Sequence, residues 1–126
     1  MEKKNIYSLH EEHKTWLNVL QFYKDDIEVM KKRLEEIASK NTSKEVLAMV
    51  EHFQNQLIIQ RNNIDELNHA VKQEENAIEK SINNNPVAVD HRSMEDNPKM
   101  RDDINSFEKN FAELRKDFIG FIAKWM

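Results

Sequence analysis

The sequence predicts an all-α protein: an elongated antiparallel three-helix bundle with coiled-coil-like heptad packing. Three observations carry that prediction. The 126 residues include one Gly, two Pro and no Cys, too little turn chemistry for a sandwich, a barrel or a doubly wound sheet. Apolar residues recur in alternating steps of three and four along three separate stretches, the spacing of a helix seam. Helix-capping signals stand between those stretches. Helices are expected over about 5–39, 43–83 and 97–126, in one domain covering 1–126.

The first seam runs Ile6, Leu9, His13, Trp16, Leu20, Tyr23, Ile27, Met30, Leu34 and Ile37, with His13 and Tyr23 as its polar members. Ser39-Lys40-Asn41-Thr42-Ser43 ends it, and Thr42-Ser43-Lys44-Glu45 has the spacing of a capping box opening the next helix. A connection this short makes the two helices antiparallel neighbours.

The second seam runs Val46, Val50, Phe53, Leu57, Gln60, Ile64, Leu67, Val71, Glu74 and Ile78, with Gln60 and Glu74 as the polar intruders. A long connection over 83–97 follows, and such segments in compact domains are more often functional than accidental. Ser93-Met94-Glu95-Asp96 offers an early start for the third helix, while Asn97-Pro98 reads as an N-cap followed by Pro at the first helical position. The third seam, Met100, Ile104, Phe107, Phe111, Leu114, Phe118, Phe121 and Trp125, has no polar member.

A hairpin closing near Asn41 places residue n of the first helix opposite about residue 82 − n of the second. Tyr23 then falls near Gln60, as a structural polar pair fixing register within the core. His13 and Glu74 fall about a turn apart, with His10 one turn before His13 and the 83–97 loop returning to the same end. Imidazole and carboxylate donors converging between helices suit zinc, iron or manganese. His10, His13 and Glu74 are therefore the candidate ligands for a divalent transition metal, with His91 and Glu108 as additions; the competing reading is a hydrogen-bonded core pair.

Two motif echoes fail. Glu66-Leu67-Asn68-His69 has the Glu-x-x-His spacing of di-metal bundles, but Leu67 holds the seam and turns both ends outward. His10-Glu11-Glu12-His13 has its histidines three apart rather than the four that a metalloprotease helix needs.

The formal charge of −4, from 19 Lys and Arg against 23 Asp and Glu, gives no bulk attraction for nucleic acid. Lys31-Lys32-Arg33 is followed at once by Glu35-Glu36 and reads as a solvated face. No apolar run is long enough to span a membrane, and the first residues lack a leader's apolar core, so no membrane association and a cytoplasmic location are expected.

Val19, Phe22 and Val29, then Met49, Ile58 and Ile59, then Ile119, Ile122 and Met126 lie off the seams, leaving apolar surface for a second subunit or another protein to cover. The expected function is a non-enzymatic helical-bundle interaction or assembly protein, acting as a homodimer. The alternative is a metal-binding bundle with its His/Glu site near the 83–97 loop, and a further possibility is a small-ligand or peptide site beneath that loop.

Overall fold

A computed structural model describes residues 3–84, 93–95 and 97–126, and the side chains of 5–84 and 97–126 among them. It is an all-α three-helix bundle. The order is β1 (Lys3–Asn5), α1 (Ile6–Lys40), α2 (Lys44–Asn84), β2 (Ser93–Glu95) and α3 (Pro98–Trp125). At 1.5 Å per residue the helices are about 52, 61 and 42 Å long.

The caps explain the boundaries. The Asn5 side chain accepts from the amides of Tyr7 and Ser8 to start α1, and the Asn97 side chain accepts from Met100 N at 3.1 Å ahead of Pro98 to start α3. α2 opens one residue later than the expected box requires: Ser43 holds the cap position, its carbonyl accepting from Leu47 N at 3.0 Å. The position three residues on is then Val46, which has no carboxylate to return the bond. The early start for α3 at Ser93 is corrected too. Ser93–Glu95 is extended and pairs antiparallel with Lys3–Asn5, Lys4 opposite Met94, so the connection contributes a strand in place of a helical turn.

Interhelix ion pairs mark the register. Lys24 Nζ lies 3.8 Å from Asp65 Oδ1 and Arg61 Nη1 lies 2.9 Å from Glu28 Oε1, so residue n of α1 stands level with residue 89 − n of α2. This differs from the expected 82 − n because Asn41, at φ −128° and ψ 135°, is extended and carries the chain onward before α2 reverses. Arg101–Glu12 and Arg115–Asp26 join α3 to α1, so residue n of α1 is level with n + 89 of α3 and the two run parallel.

The buried residues follow the three seams. Leu20, Ile27, Leu34, Ile37, Leu57, Ile64 and Phe111 are almost wholly excluded from solvent, and burial of such side chains stabilises by roughly 1.5–3 kcal/mol each. α3 packs largely through rings. Tyr23 meets Phe107 edge-on at 5.4 Å and Phe111 at 4.7 Å, while Phe53 meets Phe118 and Phe121 at 5.7 and 5.2 Å; such pairs add about 0.5–1.5 kcal/mol beyond area. Among the described residues, no helix is long and apolar enough to cross a membrane.

Candidate functional site

Two places on the bundle carry more than packing. The first is the polar cluster where α1 begins, α2 ends and α3 begins. His10 and His13 are three apart on α1 and share a face; Glu74 and Glu75 are adjacent on α2, so their side chains diverge by about 100°. Glu75 turns to α1, where His10 Nδ1 lies 2.7 and 3.1 Å from its two oxygens. Glu74 turns toward α3, where Asn97 Nδ2 donates to its Oε1. Its Oε2 lies 3.3 Å from His13 Nε2.

The His13 ring is 2% exposed and packs at 5.7 Å against Trp16. Its Nδ1 lies 3.7 Å from Glu75 Oε2 and makes no hydrogen bond. Beside the cluster, the Arg101 guanidinium grips Glu12 through two bonds of 2.8 and 3.2 Å. The capping residue of α3 is therefore tied to α2 through Glu74, and its first turn to α1 through Glu12. One polar network joins all three helices.

Of the sequence-predicted ligands, His10, His13 and Glu74 do come to one end. Their arrangement is a set of pairs, because the two ring nitrogens of His13 face different carboxylates on opposite edges of the imidazole. Among the described residues, no group of three or more His, Asp or Glu side chains is placed to hold a metal ion. Glu108 stands two turns along α3 from Arg101 and faces the Tyr23 phenol, which burial above all, then Glu108, pushes above its ordinary pKa, against an opposing pull from Arg115. His91 lies outside the described residues. His69 and Glu66 are exposed, as the seam position of Leu67 requires.

Tyr23 and Gln60 do not pair. Gln60 is buried with its Oε1 lacking a hydrogen-bond partner, and Tyr23 turns to the phenylalanines of α3. With the observed register, Gln60 stands level with residue 29, nearly two turns from Tyr23. Glu75 was missed. It follows the seam residue Glu74 directly, and the Glu-Glu doublet on the flank facing α1 was its only signal.

The second place is a groove between α1 and α2, on the side away from α3 and nearer the hairpin. It encloses about 700 Å³. Its floor is the outer edge of the core at Ile27, Val50 and Leu57, and its apolar walls are Ala38, Leu47 and Ile58. Ile58 is 59% exposed. Lys31, Glu35, Glu51 and Arg61 form the charged rim. The off-seam residues Phe22, Val29, Met49, Ile59, Ile119 and Met126 are exposed as well, whereas Val19 and Ile122 are half-buried.

No family model matches the chain, and no characterised protein or solved structure is significantly similar to it.

Proposed function

We propose that the chain is a non-enzymatic helical-bundle interaction module whose working surface is the α1–α2 groove. The observation that carries this reading is a recess of about 700 Å³ walled by Leu47, Ile58 and Ala38, with Ile58 more than half exposed. Apolar side chains around a concave surface, rimmed by charge, are the anatomy of a protein-binding face. The polar cluster serves as a clasp in this reading. Its His, Glu, Asn and Arg side chains contact one another across three helices and hold the register that shapes the groove.

Photo-crosslinking tests the reading in cells producing the full chain. A benzoylphenylalanine in place of Ile58 is expected to give covalent adducts with protein, and the same probe at exposed Lys109 on α3 is expected to give none. Absence of adducts at Ile58, or equal yields at both positions, would overturn it.

A further inference from the structure

We infer that the partner covering the groove face is a second copy of this chain, docked face to face with its helices antiparallel about a two-fold axis level with residue 56 of α2. This rests on the interaction-module reading. It deepens that reading by naming the partner.

The rim charges carry the inference. Glu51 and Arg61 on α2 lie five residues to either side of position 56. Since residue n of α1 is level with 89 − n of α2, Lys31 and Glu35 are level with positions 58 and 54, two residues to either side of the same point. Both pairs combine opposite signs, and both share one midpoint. A two-fold axis lying in the face and crossing the helices stacks α1 on α1 and α2 on α2 while reversing their direction. It sets Glu51 of each copy against Arg61 of the other, and Lys31 against Glu35, so four contacts of opposite charge form, shared with the Glu28 carboxylate that each chain already holds 2.9 Å from Arg61 and 3.9 Å from Lys31. This is the self-complementarity that an isologous contact demands.

The apolar groups fit the same symmetry. Ile58 lies two residues from the axis, so the two copies of Ile58 approach within about 6 Å along the helix direction. They form the dry centre of a contact rimmed by charge, the usual distribution in specific interfaces. Among the described residues, the groove is lined by α1 and α2 alone, with α3 packed on the opposite side.

The face is about 27 Å long, from Leu47 to Asp65, and two helices or about 20 Å wide. That gives roughly 1,100 Å² for both copies, near the lower limit of specific interfaces. The dimer is therefore expected to exchange with monomer as concentration changes.

Sedimentation of charge-reversed chains tests this. The wild-type chain is expected to pass from the mass of one copy to that of two between micromolar and millimolar concentration. Glu51→Arg faces Arg61 of its partner twice, and Arg61→Glu faces Glu51 twice, so each variant alone is expected to associate at least about tenfold more weakly. Mixed in equal amounts they restore both contacts, and the mixture is expected to dimerise like wild type. Circular dichroism melts establish that each variant is folded.

A wild-type chain that stays monomeric would overturn the second-copy assignment, as would variants that each dimerise unaided or a mixture that does not recover. If Ile58 still crosslinks to a different protein in that case, the interaction-module reading survives and only the occupant is wrong.

Discussion

Glu74 is the residue on which the end of the bundle turns, since one carboxylate meets both the Asn97 amide and the His13 ring. Glu74→Ala takes away the carboxylate 3.3 Å from the buried His13 ring and leaves the Asn97 amide without its acceptor, and is expected to cost about 1–3 kcal/mol in denaturant unfolding; an unchanged midpoint would mean the clasp contributes nothing. Tyr23 gives a pH signature. Burial and Glu108 raise its phenol above the ordinary value of about 10, so the folded state favours the neutral form. That contribution is complete below the unfolded value and is lost as pH climbs through the folded one. Between about pH 9 and 11 the melting temperature of Tyr23→Phe is expected to fall less steeply than that of wild type, and parallel curves would contradict the assignment. At this scale the sequence was only half legible. His13 and Glu74 were readable because seam position predicts which end of a helix pair a residue reaches, and His10 because it stands one turn before His13. Glu75 and Arg101 were not, because a flanking residue finds its partner only once the register is known to within a turn.

At the scale of elements, α3 offers a direct test. Gly120 is exposed in its C-terminal part, and a methyl group added there meets nothing within 4 Å. Gly120→Ala is expected to stabilise by about 0.5–1 kcal/mol through helix propensity and reduced chain entropy. A destabilisation would show that α3 needs the open backbone there. The helices themselves were legible to within a residue or two at each boundary, because long three-and-four periodicity leaves no competing reading. The pairing of Lys3–Asn5 with Ser93–Glu95 was not. Three-residue strands have too few side chains to show a period, and what holds them is backbone hydrogen bonding, which sequence does not display.

For the whole molecule, the fold followed from composition and period, while the stagger between helices depended on three residues. The extended Asn41 displaced the cross-helix pairings around the groove by about two turns. It separated Tyr23 from Gln60, and it brought Lys31, Glu35, Glu51 and Arg61 into an arrangement symmetric about one level. The central claim is that this symmetry is used by a second copy. The chain has no Cys, so a single introduced one carries a spin label without ambiguity. Lys32 and Asn18 occupy the same outward position of α1 four turns apart. Pulsed electron resonance on Lys32→Cys, one residue from the axis, is expected to give an inter-copy distance within about 25 Å, and Asn18→Cys about 45 Å or more. Equal distances at the two positions, or no dipolar coupling at either in concentrated protein, would contradict an antiparallel pairing through the α1–α2 face.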